Sequence, residues 1–376
     1  MRQCLCVMFC VVAAAVLASD KVTLQRVPDG GIQPQVVADG KGTVHLLYYN
    51  GDAKAGNLFY TKSSDDGKTF GEAIRVNSDP NSAIAVGNIR GAHIAIGKNG
   101  RVHVAWMGSD AAPQKGPKNE VGMLYTRLDD AGKAFEPQRN VIQQVYGLDG
   151  GGTVAADAQG NVYVLWHGGD PRKETERRVL VARSTDDGKT FQKETAPFAQ
   201  NTGACGCCGM AAAADSKGNV YALYRSASGG TRDMYLIMSR DKGATFQGGK
   251  VADWRVATCP MSACSFTETV GGMLAGWETD GQVYFCRIDA SLKPGKPIAA
   301  PGDGRGRKFP VMAETKSETI LVWTEGMGWQ MGGNVAWQVF DKDGKPTAEK
   351  GESRGVPEWS LVAVFPRSDG GFTILH

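Results

Sequence analysis

The sequence predicts an all-β protein, a β-propeller built from four-stranded blades. Two observations carry that prediction. An eight-residue phrase occurs three times, at residues 63–70, 184–191 and 239–246, and each copy reads S-x-D-x-G-x-T-F. Around these copies, short apolar runs alternate with turn residues along the whole chain. A phrase that returns at spacings of tens of residues marks a repeat architecture. The phrase itself reads as a turn: Asp and Ser side chains bond nearby backbone N–H groups, Gly supplies a positive φ, and the aromatic ring plugs back between strands.

The first repeat shows how a blade is assembled. Residues 34–39 form a short strand, 40–42 a turn and 44–49 a second strand. Residues 57–62 form a third strand that runs into the phrase, and 73–76 a fourth. Four consecutive short strands with turn chemistry between them make one blade. The opening hairpin then recurs at 93–96 with 102–106, 153–156 with 162–166, 211–214 with 220–224, and 265–267 with 273–277. It recurs twice more, at 309–312 with 320–323 and at 361–364 with 372–375. Small residues in the first strands suit the crowded centre of a ring, and aromatics ending the second strands suit packing between blades. Residues 128–135 are a degraded copy of the phrase, with weaker remnants at 287–290 and 340–344.

The hairpin count predicts seven blades. The last hairpin is followed by the C-terminus, so a lone N-terminal strand at 22–27 is expected to complete it and remove an open edge. One domain, residues 19–376, accounts for the chain with no linker-like break.

Composition agrees with many tight turns. Glycine supplies 50 of 376 residues, about twice average usage, with no G-X-Y period. The formal net charge of +3 argues against a nucleic-acid binder held by a basic face. Residues 1–18 read as a secretory signal: Arg2 begins it, 4–17 are mostly apolar, and Val16-Leu17-Ala18 offers a small-residue cleavage pattern. The apolar run falls short of the ~20 residues a spanning helix needs, and no later stretch reaches that length. A secreted or periplasmic protein with no membrane span after signal removal is therefore expected. Of the nine cysteines, Cys205, Cys207, Cys208, Cys259, Cys264 and Cys286 lie beyond the signal. An even count in an exported chain permits disulfides.

The repeated phrases resemble the Asp-boxes, or BNR repeats, of the sialidase superfamily, and the blade pattern extends the resemblance over most of the chain beyond the signal. The resemblance implies that the boxes join third and fourth strands on the face away from the active site. Asp65, Asp186 and Asp241 are accordingly structural. It also implies six blades, against the seven of the hairpin count. The active face carries the loops that enter first strands and leave second strands. Family sialidases begin with a Phe-Arg-Ile-Pro motif whose arginine grips the substrate carboxylate. Here residues 31–34 read Gly-Ile-Gln-Pro, and Ile32 stands in the arginine's place. Asp-box propellers include enzymes, binding proteins and receptors.

Candidate site residues follow from that face. Arg225 and Arg232 bracket one loop, and with Arg90 they would make a clamp for a carboxylate through bidentate bonds. Glu278 and Glu325 occupy equivalent positions just after second strands, where two carboxylates about 5–10 Å apart would serve glycoside hydrolysis. Tyr49 and Tyr146 are further nucleophile candidates. Trp329, in a glycine-rich stretch, is placed to stack on a sugar ring. Cys205, Cys207 and Cys208 enter one blade, and Cys259 and Cys264 enter the next at the same point. They are read either as disulfides stapling two long loops or as a soft-metal site, where Cys and Met suit copper(I). The expected function is a sialidase-like glycoside hydrolase acting on sialylated or other acidic glycans. The alternative is a non-catalytic propeller that binds glycans or proteins.

Overall fold

Five four-stranded and two three-stranded sheets stand around one axis in the computed structural model, which describes residues 21–256 and 258–376. The expected signal at 1–18 lies outside the described residues. Blade 1 comprises Ile32–Ala38, Val44–Asp52, Ala55–Ser63 and Ile74–Arg75. Blades 2 to 6 follow this up-and-down order and blade 7 keeps its opening hairpin, so the ring has seven blades and not the six that the family resemblance implied. In blade 3 the fourth strand is reduced to one antiparallel bridge between Val181 and Thr195.

Blade 7 closes the ring. Its hairpin, Ala363–Pro366 with Phe372–Leu375, takes Val22–Gln25 as a third strand. The pairing is parallel, with Val22 opposite Phe372 and Gln25 opposite Leu375. A third strand supplied by the same meander would run antiparallel, so the parallel register records that this one comes from the far end of the chain.

Apolar packing is divided among the joints between blades. Leu47, Leu58 and Tyr60 of blade 1 pack against Val104, Trp106 and Leu124 of blade 2. Comparable clusters fill the other joints, and Leu46 and Tyr48 meet Ala363 and Phe365 where the ring closes. The aromatics that end second strands, among them Trp106, Trp166, Tyr224, Trp277 and Trp323, are buried in these seams. First strands rich in small residues line a central cavity of about 130 Å³.

The three Asp-boxes share one geometry. Ser63 donates to Asp65 Oδ1 at 2.7 Å and accepts from Gly67 N at 3.0 Å. Asp65 also accepts from Thr69 N at 2.9 Å and from its hydroxyl at 2.6 Å. Asp186 and Asp241 repeat the pattern on Thr190 and Thr245. These bonds hold all three carboxyls at about 2. For Asp65 the Thr69 and Ser63 hydroxyls dominate; for Asp186 and Asp241 burial opposes ionisation and the bonds outweigh it.

The boxes also join neighbouring blades. A Cβ at Gly188 would overlap the Tyr125 hydroxyl of blade 2, and one at Gly67 would overlap the Phe365 ring of blade 7. Ser368 of blade 7 donates its backbone N–H to Asp66 at 3.0 Å. Asp187 accepts from Arg101 at 2.5 Å and lies 3.6 Å from His103, both in blade 2. The degraded copy keeps only part of the design: Asp129 accepts from Lys133 N at 2.9 Å.

Candidate functional site

The face opposite the Asp-boxes is built by loops that enter first strands and leave second strands. At its rim, Trp329 is 55% exposed and its ring stands edge-on to Trp359, with centroids 4.8 Å apart. Trp359 itself is buried, and its carbonyl accepts from Gln33 Nε2 at 2.7 Å. Gln33 adjoins Ile32 and holds a left-handed φ of 53° at a bulge in the first strand. Its amide also donates to Ala85 O at 2.7 Å, which ties blade 1 to the loop entering blade 2. Sequence reading passed over Gln33; the bulge-forming Gln-Pro step was the available signal. Phe309-Pro310 repeats it in blade 6, again with positive φ at the residue before proline.

The three candidate arginines are already engaged. Arg90 donates to Asp149 Oδ1 at 3.0 Å and to its carbonyl at 2.7 Å. Arg232 pairs with Glu174 at 2.8 Å. Arg225 lies fully buried, with its guanidinium 4.7 Å from the Trp254 ring. It donates to Ser262 Oγ at 2.9 Å, to Arg232 O at 2.6 Å and to Glu278 O.

The two candidate carboxylates sit in different surroundings. Glu325 is partly exposed, accepts from Trp323 Nε1 at 2.8 Å and pairs with Arg307 at 3.1 Å. Glu278 is only 2% exposed, and its Oε2 has no hydrogen-bond partner among the described residues. Burial pushes its carboxyl up to about 7, against the opposing pull of Lys308 and Arg225. The Tyr49 hydroxyl bonds the Asp52 and Ala83 carbonyls, and that of Tyr146 bonds the Ile142 carbonyl at 3.2 Å.

The cysteine loops meet as their equivalent positions suggested. Cys207 and Cys259 form a disulfide that staples the loop entering blade 4 to the loop entering blade 5. Cys205 and Cys208 are buried thiols with sulfurs 3.2 Å apart, and Cys205 Sγ lies 3.4 Å from Cys207 Sγ. Cys208 is the more acidic of the pair. Burial opposes its charge, but the Cys205 S–H bond and the Arg225 guanidinium hold it below the usual thiol range. The same bond, together with burial, pushes Cys205 up. Cys264 stands apart from this group: its sulfur contacts the Leu223 carbonyl at 3.5 Å, and burial raises it to about 12. Cys286, on a third strand, is likewise a buried thiol.

Beneath the loop, Arg177 is only 1% exposed, and its Nε and Nη1 have no partner among the described residues. A Cβ at Gly206 would overlap Arg177 Nη1, which explains why the residue between Cys205 and Cys207 is glycine. Neighbouring His167 is held neutral, pushed down to about 4 by burial and then by Arg177. Reading the sequence did not single out Arg177, because nothing local distinguishes it from Arg178 beside it.

No protein-family model and no curated protein matches the sequence. Solved structures do match. A protein of unknown function from Dyadobacter fermentans is 16% identical, with 85% of this chain and 96% of that one covered and a TM-score of 0.58. A Penicillium chrysogenum alpha-L-arabinanase complexed with arabinobiose is 15% identical, covering 84% and 94%, with a TM-score of 0.51. An alpha-L-arabinofuranosidase from Fusarium graminearum is 12% identical, covering 83% and 93%, with a TM-score of 0.52. Sialidases also match, with TM-scores under 0.5. The β-propeller expected from the repeated phrase is thus borne out as a fold shared with these structures.

Proposed function

We propose that this chain recognises carbohydrate across the funnel face of its ring. Trp329 carries the reading. An exposed indole held edge-on by a buried tryptophan is a rigid, flat apolar surface on the face opposite the Asp-boxes. The C–H face of a sugar ring complements such a surface, and the surrounding polar loops complement its hydroxyls. The fold shared with arabinan-processing enzymes supports the same class of ligand.

A neutral glycan suits this face better than an acidic one. A sugar carboxylate reaching for Arg90 or Arg232 would have to displace Asp149 or Glu174, and Arg225 is buried. The Cys207–Cys259 disulfide supports an exported protein working in an oxidising compartment. No helix among the described residues is long and apolar enough to cross a membrane.

A second reading, glycoside hydrolysis, is favoured by Glu278. A carboxyl raised to about 7 keeps its proton near neutral pH, as a general acid requires. Screening the purified protein on a broad glycan panel tests both readings. Binding by the parent that Trp329→Ala abolishes is the expected result, and no binding to any panel member would sink the proposal. Release of sugar that Glu278→Gln stops while binding persists would establish the hydrolytic reading.

A further inference from the structure

We infer that Cys205 and Cys208 form a binding site for a soft monovalent cation, copper(I). The site is independent of the glycan reading and rests on the sulfur geometry and the charges around it. Two buried thiols 3.2 Å apart form a compact soft-donor pair; the third sulfur nearby, Cys207 Sγ, is held in the disulfide. Thiolate ligands of this kind select copper(I) over hard cations.

The surroundings differ from those of ordinary buried cysteines. Cys264 and Cys286 are inert thiols, one directed at main-chain carbonyls and the other within an apolar seam. Two buried guanidiniums stand near the Cys205–Cys208 loop instead: Arg225 acts on Cys208 beside Ser262, and Arg177 packs against Gly206. Arg225 donates only to neutral oxygens, and no carboxylate comes within 4.0 Å of it among the described residues. The buried Glu278 carboxyl acts on Arg225 only from beyond 4.0 Å, and burying a cation without a close counter-charge is costly, so a further anion beside Arg225 is favourable. Because Ser262 Oγ accepts from Arg225, its own proton is free to point at Cys208 Sγ, 3.9 Å away. Arg177 adds a second unpaired cation on the far side of the loop, against Gly206.

Charge decides which metal fits. Copper(I) bound by two thiolates carries a net charge of −1, which Arg225 neutralises. Zinc with two thiolates would be neutral and would still need two more ligands, and the remaining nearby sulfurs are tied up as the Cys207–Cys259 disulfide. On binding, two S–H bonds break and two Cu–S bonds form. Two protons leave, and no electron is transferred. The sulfurs must separate by on the order of 1 Å to admit the ion between them, given metal–sulfur bonds of about 2.3 Å.

The test is an anaerobic titration of the disulfide-intact protein with copper(I) supplied as its bicinchoninate complex. We expect one equivalent of copper(I) withdrawn per chain. Cys205→Ser and Cys208→Ser should each lower retention at least tenfold, while Cys264→Ser retains the parent stoichiometry. Thermal melting of each variant separates ligand loss from misfolding. Where a serine variant fails to fold, prolonged alkylation of the parent in sub-denaturing urea, which reaches the buried thiols through transient opening, replaces it: copper(I) should slow labelling of Cys205 and Cys208, but not of Cys286, in peptide maps. Copper(I) left wholly with bicinchoninate overturns the proposal. So does equal retention by the double serine variant, or a peptide map showing Cys205 joined to Cys208 as a disulfide in the isolated protein.

Discussion

Replacing Glu278 by glutamine should stabilise the protein at pH 8 and leave it unchanged near pH 4. Glu278 is buried against Lys308, Arg225 and Cys208, and its carboxyl is raised from 4.5 to about 7, chiefly by burial. A carboxyl that binds its proton more tightly when folded favours the folded state only while protonated. The parent therefore loses stability as pH rises from about 4.5 to about 7, and the loss is complete above that. At 1.36 kcal/mol per tenfold change in proton affinity, the full loss is about 3 kcal/mol. Glutamine keeps the shape and has no proton to lose. For a ring of this size, with an unfolding entropy of about 2.1 cal/mol/K per residue, that difference shifts Tm by roughly 4 °C. Calorimetric melting of both proteins from pH 4 to pH 8 measures it. If the variant is less stable than the parent at pH 8, or differs by the same amount at every pH, the reasoning fails. The first result would mean that attraction to Lys308 and Arg225 outweighs burial and holds the carboxylate charged; the second would mean that the two cancel and folding leaves its proton affinity unchanged.

Further substitutions probe the joints and the staple. Gly188→Ala should cost about 3 kcal/mol or more, because its Cβ overlaps Tyr125 across a blade seam; Gly132→Ala, in the degraded box with open space around it, should cost only about 1–2 kcal/mol of left-handed strain, read by urea unfolding. Asp186→Ala should remove about 1–2 kcal/mol at pH 7, since it deletes bonds from Thr190 and Ser184 at a partly exposed turn. Because Asp186 is held at about 2, that contribution is present above about 4 and fades as pH falls toward 2, so parent and variant should converge in acid melts. Cys259→Ser opens a loop with a separation of 52 residues and should lower stability by up to roughly 4 kcal/mol, measured as a drop in denaturant midpoint without reductant.

The parts of the fold that were legible share a local origin. The Asp-box closes its hydrogen bonds within four residues, from Ser63 to Gly67 and from Asp65 to Thr69, so the phrase contains its own geometry. Strands such as Val162–Gly168 are marked by apolar runs and aromatics that need only their flanking turns to be recognised. The lone N-terminal strand was assigned to the last blade by counting, and it lies there, though its parallel register was not foreseen. Features that depend on distant neighbours escaped. Asp187 bonds Arg101 across 86 residues, and the Gln33 amide reaches Trp359 across 326.

The amino-acid sequence by itself determined the ring, its seven hairpins, and which loops share the face opposite the boxes. Turn chemistry and strand alternation act over a few residues, and repetition made them unmistakable. Only the tertiary structure decided what those loops do together. It chose one disulfide, Cys207–Cys259, from the pairings that six cysteines allow, and left Cys205 and Cys208 as adjacent thiols. It also gave Arg90 and Arg232 to internal carboxylates and buried Arg225 and Glu278 side by side. Burial and the identity of a charge's partner are properties of the packed ring, because they arise only where segments far apart in sequence are brought into contact.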